Sequence, residues 1–165
     1  MTQLKSIFKL LITPVLQKHW FIDLIFAIPR VLSGLWLTTM FGADKFGMPW
    51  TSDDRHLQLF EVVAWFPEDV KAYGGIFAIA PVFFAWMGAF SEAVGGLFLL
   101  LGLKTRIASF LIICTMLVAI FCQKFNGPLW NMLPAISFLW VAIYNLFLGS
   151  GRFGLDYLIS KKLNN

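Results

Sequence analysis

Charge is scarce in this chain, and its scarcity excludes an ordinary soluble domain. Only 13% of the 165 residues are Asp, Glu, Lys or Arg, whereas 59% are hydrophobic; soluble domains carry about 25% charged residues. Histidine occurs only as His19 and His56, both expected at or beyond the membrane boundaries and on opposite sides, which disfavours paired-histidine haem ligation inside a bundle. Cysteine is limited to Cys114 and Cys122 on one expected helix. That spacing is roughly 12 Å along the axis, beyond the roughly 7 Å between Cα atoms that a disulfide tolerates. The chain also lacks a C-x-x-C pair, a metal-ligand cluster, a phosphate-binding glycine loop and a usable Ser–His–Asp arrangement. These absences exclude a self-contained thiol relay, a metal centre, a nucleotide site and a triad hydrolase. No cofactor is intrinsic to the chain, so any catalysis needs a bound cofactor or a partner.

What remains is apolar sequence in lengths that fit a bilayer. A membrane crossing takes about 20 apolar residues, so this chain has room for four helices and no separate soluble domain. The expected spans run over residues 21–46, 76–103, 107–122 and 129–148, giving an all-α membrane protein built as an antiparallel four-helix transmembrane bundle. Pro29 lies inside the first span and predicts a kink there, which would leave Arg30 shallow. In residues 1–18, Leu4, Ile7, Phe8, Leu11 and Val15 recur at helical spacing between lysines, as in an N-terminal amphipathic interfacial helix retained in the protein. The bundle domain is expected over residues 19–160, with a short cytoplasmic tail over 161–165. Between the first two spans, Thr51-Ser52-Asp53-Asp54 has the form of a helix start, followed by Leu57, Phe60, Val63 and Ala64 on one face. This predicts an extracytoplasmic helical loop whose helix ends at Pro67.

Lys and Arg set the orientation. With both termini in the cytoplasm, nine of them (Lys5, Lys9, Lys18, Arg30, Lys104, Arg106, Arg152, Lys161, Lys162) lie inside and four (Lys45, Arg55, Lys71, Lys124) outside, which favours N-in and C-in. The basic residues therefore read as topology rather than as a nucleic-acid footprint.

Glu92 is the single charge in the apolar run from Ile76 to Leu103. An ionisable side chain at that depth costs roughly 2.5–3.5 kcal/mol on insertion scales, which makes it a candidate functional site. Gly88, Glu92 and Gly96 form one helical stripe, as do Arg30 and Gly34, so both side chains are expected to face other helices and to pair with each other. A carboxyl that only holds helices together is the plainer reading of the same stripe. Trp36, Trp86 and Trp140 each fall about 10 residues from the outer end of their span, a common depth of roughly 15 Å. They are candidate walls for a flat apolar ligand such as a quinone, with Tyr144 and Asn145 adding polar groups; bulky core or lipid-facing aromatics are the alternative.

The stretch Ser91-Glu92-Ala93-Val94-Gly95-Gly96 through Leu101-Gly102-Leu103-Lys104-Thr105-Arg106, with the ending Gly149-Ser150-Gly151-Arg152-Phe153-Gly154-Leu155-Asp156, resembles the DoxX family of small membrane proteins. Arg30 with Gly34 and Lys45-Phe46 fit the same pattern, so the resemblance covers about residues 29–157. Ser150 and Gly154 depart from that family's usual Pro and Ser. The resemblance implies a four-helix protein of the bacterial inner membrane, associated in some members with quinone-linked oxidoreductases. The resulting expectation is an accessory, quinone-binding or redox-associated subunit acting with a larger protein partner or as a homo-oligomer. A non-catalytic assembly subunit and a small carrier or lipid-handling protein are the alternatives.

Overall fold

The computed structural model describes residues 11–124 and 127–164, and these are helical throughout, joined by turns and one isolated antiparallel bridge between Phe46 and Val62. Four helices are long and apolar enough to cross a membrane: Trp20–Gly42, Pro81–Leu101, Thr105–Gln123 and Leu129–Leu148. Helices are the form such sequence must take, because backbone N–H and C=O groups in hydrocarbon have no water to bond. Local chemistry sets the ends. Pro81 begins the second span where its missing N–H costs nothing, and Gly102 ends it in the left-handed conformation at φ +63°. The third span runs 19 residues, longer than the sequence count.

Three expectations need correction. The first span begins at Trp20 and stays helical through Pro29, which puts Arg30 at the middle of Trp20–Gly42 rather than at a shallow end. The loop helix lies at Trp65–Ala72, so Pro67 sits in its first turn rather than at its end. The sequence from Thr51 forms only a short 3-10 turn, Asp53–Arg55, because the Thr51 hydroxyl is taken up by the Phe46 carbonyl and Met48 N–H, and His56 and Phe60 adopt positive φ. Of the expected interfacial helix, residues 1–10 lie outside the described residues; beyond them helix stops at Ile12, and Val15 N–H donates to the Leu148 carbonyl at 2.8 Å. At the other end, a helix spans Leu155–Asn164.

The first two spans pack backbone to backbone. A Cβ on Gly34 would stand 2.4 Å from Leu100 N, and one on Gly96 2.8 Å from Thr38 N, so no larger residue fits the present spacing. Both spans widen into a π-helical turn, Leu37–Gly42 and Ser91–Gly95, and the two turns pack on each other. The Thr38 hydroxyl ties them by donating to the Ala93 carbonyl at 2.7 Å. Gly42, the end of the first span, thus lies level with Ala93, about 18 Å short of Pro81. The space beside Pro81–Phe90 is filled instead by the connecting segment: Phe46 packs on Trp86 and Phe90, and Trp65–Ala72 packs along the same half-span. Two apolar cores result, one around Leu37, Leu99, Ile112 and Phe138, the other around Phe46, Phe66, Val70, Ala85 and Ala89.

Candidate functional site

Arg30 and Glu92 are both buried, but they do not pair. The Arg30 guanidinium reaches backbone carbonyls, donating to Leu99 at 2.5 Å, Leu100 at 3.2 Å and Phe153 at 2.8 Å. Leu99 and Leu100 lie seven and eight residues beyond Glu92, about 10–12 Å further along the helix, which is why the expected contact fails. Glu92 instead takes Lys45, whose ammonium stands 2.6 Å from its carboxylate.

The Arg30 end is a closed knot. Asp156 accepts from Lys104 N–H at 2.7 Å and Thr105 N–H at 2.9 Å, capping the third span, where a carboxylate also meets the positive end of the helix dipole. Arg152 pairs with Asp23 at 3.0 Å and donates to the Gln17 carbonyl at 2.8 Å. Tyr144 donates to the Phe26 carbonyl at 3.1 Å, and Asn145 to the Val141 carbonyl at 2.8 Å. The void left among Arg30, Tyr144 and Asn145 is about 10 Å³, enough for at most one water. Ser150 and Gly154, the two departures in the tail motif, touch each other: a Cβ on Gly154 would fall 2.2 Å from that of Ser150.

The Lys45–Glu92 end is open. A cavity of about 310 Å³ adjoins the pair, lined by Phe66, Val70, Tyr73, Phe77, Phe83, Phe84, Met87, Ser91, Cys114 and Thr115 among others. Lys45 is placed by a small strap in which Val63 N–H bonds to the Lys45 carbonyl, while Gly47 and Glu61 close the next rung. Gly47 is required there, since a Cβ would lie 1.8 Å from the Gln58 carbonyl oxygen. The ammonium also sits 5.2 Å from the Phe66 ring centre, a cation–π contact that helps offset its desolvation. The Ser91 hydroxyl is buried on the cavity wall with no hydrogen bond among the described residues. Burial, then Asp69, Cys122 and Glu92, push the Tyr73 hydroxyl up to about 12, so it stays a donor at neutral pH. The arrangement can bind an apolar body and offer donors to its polar end; among the described residues no group of His, Cys, Asp and Glu could hold a metal ion.

The three tryptophans do not form one wall. Trp36 and Trp140 are exposed, and Trp86 packs on Phe46 and Phe90 while donating to the Phe60 carbonyl at 3.2 Å. Trp36 is two residues from Gly34 and Trp86 two from Gly88, which puts each about 200° round the helix from its small-residue stripe. Lys45 was the residue that pairing arguments missed; its signal was the Lys45-Phe46 match noted above.

A family model for DoxX matches residues 30–124. The chain belongs to the DoxX family. With four apolar helices of spanning length it is a multi-pass membrane protein of that family. No curated protein and no solved structure matches it. Arg30, Lys45, Glu92 and the cavity wall from Phe66 to Gln123 all fall within the matched DoxX region, whereas Tyr144, Asn145 and the tail motif follow it.

Proposed function

We propose that this DoxX-family protein is an accessory subunit of the bacterial inner membrane that binds a quinone in the cavity beside Lys45 and Glu92 and acts with a larger protein partner or as a homo-oligomer. The observation that carries the reading is the cavity itself: about 310 Å³, walled by aromatic rings, with a buried ion pair at its edge. A quinone is flat and apolar with carbonyl acceptors, and Lys45, Tyr73 and Ser91 are donors on the cavity wall. The chain itself provides no redox couple, so it binds and orients the quinone while electrons come from the partner.

The first two spans meet at Gly34 with Leu100 and again at Gly42 with Ala93, so they run in opposite directions, and the contact of Asp156, beyond the fourth span, with the start of the third also supports an antiparallel bundle. The nine-to-four basic asymmetry supports both termini in the cytoplasm, with the cavity toward the opposite side.

Mass spectrometry of protein extracted in mild detergent tests the proposal. A quinone recovered with wild-type protein and missing from Glu92→Gln is expected; protein that carries none and binds no added short-chain quinone overturns the ligand. Reductant turnover by the purified chain without a partner overturns the accessory role.

A further inference from the structure

We infer that the cavity is reached sideways from the bilayer, through a crevice between the second and third spans, and that its occupant is a membrane-dissolved amphiphile whose apolar chain lies in that crevice with its polar end toward Lys45 and Ser91. The inference rests on reading the cavity as a ligand site. Three observations carry it.

First, the two spans diverge. The third span packs along Ser91–Leu101 of the second, while Pro81–Phe90 packs on Trp65–Ala72 instead. The cavity occupies the wedge, with Phe84 and Met87 on one side and Cys114 and Thr115 on the other.

Second, the mouth lies at lipid depth. Cys114 lines the cavity, is exposed, and is the middle residue of the 19-residue third span Thr105–Gln123. It is thus roughly 14 Å from either end of that span, in a hydrocarbon core about 30 Å thick. An opening at that level faces acyl chains rather than water.

Third, the polar groups sit on one side. Among the described residues Lys45 makes one side-chain hydrogen bond, to Glu92, and an ammonium has three donors. The Ser91 hydroxyl is 1% exposed and has no partner among the described residues. Buried polar groups are ordinarily bonded, so an acceptor on the occupant would take the remaining Lys45 donors, and the covered Ser91 hydroxyl would join it on a turn of its side chain toward the cavity. A chain that slides in tail outward and head inward matches a wall apolar at its mouth and donor-bearing at its inner side.

The test uses the full chain in phosphatidylcholine vesicles that contain a fatty acid with a diazirine in its acyl chain. After photolysis, adducts are mapped by peptide mass spectrometry. Adducts are expected on Met87 and Thr115, inside the wedge, as well as on the outward Trp140 and Phe147. Gly88→Leu and Cys114→Phe should each remove the interior adducts and keep the outward ones; using both guards against one of them failing to fold. Outward adducts without interior ones would overturn the inference, as would interior labelling by a water-soluble diazirine but not by the fatty acid. Interior adducts in a protein that binds no quinone would sink the quinone reading and keep the lateral route. Quinone binding unaffected by Cys114→Phe, with no interior adducts, would do the reverse.

Discussion

Two buried charges, Arg30 and Glu92, are held in opposite ways. Arg30 spends its two terminal nitrogens on three backbone carbonyls, its Nε having no partner among the described residues, in a knot whose void is about 10 Å³. Glu92 has one cation among the described residues, Lys45, and borders about 310 Å³ of open space. Burying a charge is costly in either place, but the returns differ. At the Arg30 end the cost is offset by tying together the ends of helices that hydrocarbon alone would not attract to one another. At the Glu92 end close packing is given up, which stability alone does not reward. The first reads as architecture and the second as a site.

The largest effect should come from the knot. Arg30→Ala removes three guanidinium hydrogen bonds, of which, among the described residues, only the Leu99 carbonyl keeps another donor, Gly102 N–H, and is expected to cost on the order of 5 kcal/mol, given about 1.5–3 kcal/mol for each bond to a charged group. Thermal unfolding in detergent would register it, and Arg30→Lys should not rescue it, because an ammonium cannot fork across Leu99, Leu100 and Phe153. Wild-type stability in Arg30→Ala would collapse the distinction between the two ends.

Next comes the ion pair. Lys45→Met strands a carboxylate whose side chain is 7% exposed, at a cost of about 3 kcal/mol. Combining it with Glu92→Leu should restore the unfolding midpoint but not ligand binding. Recovery of both would reduce the pair to packing.

Asp156→Asn removes the charged cap from the third span and should cost about 1–2 kcal/mol, again by thermal unfolding, while leaving the bound ligand in place. Tyr73→Phe should behave in the opposite way: unchanged stability, and quinone affinity weaker by about 1 kcal/mol, roughly fivefold, in a titration. Because the hydroxyl is held up to about 12, that difference should not vary from neutral to mildly alkaline pH. Smallest of all, Trp36→Leu and Trp140→Leu should shift stability by less than about 0.5 kcal/mol and leave binding intact, since both rings are exposed.

The four spans were legible because length and apolarity nearly suffice to define them in lipid; the fourth, Leu129–Leu148, falls where the residue count placed it. The inward faces of Arg30 and Glu92 were legible from their glycine neighbours for the same periodic reason. Their partners were not. Arg30 bonds to backbone carbonyls, which every residue carries and no side-chain pattern announces. The Lys45–Glu92 contact depends on the first span ending level with Ala93, an offset fixed by Gly34, Gly42 and Gly96 together. Depth alone grouped the tryptophans, whereas angular position separates them. The loop helix moved from residues 51–67 to Trp65–Ala72 because Phe60 takes a left-handed conformation that amphipathic spacing does not reveal.

The most direct measurement compares the ligand carried by wild-type protein, Glu92→Gln and Asp156→Asn, each purified in the same mild detergent and analysed by native mass spectrometry. If the Lys45–Glu92 cavity is the site and the Arg30 end is architecture, ligand is lost from Glu92→Gln and kept by Asp156→Asn, although the latter is destabilised. Ligand retained by Glu92→Gln and lost from Asp156→Asn would contradict that assignment.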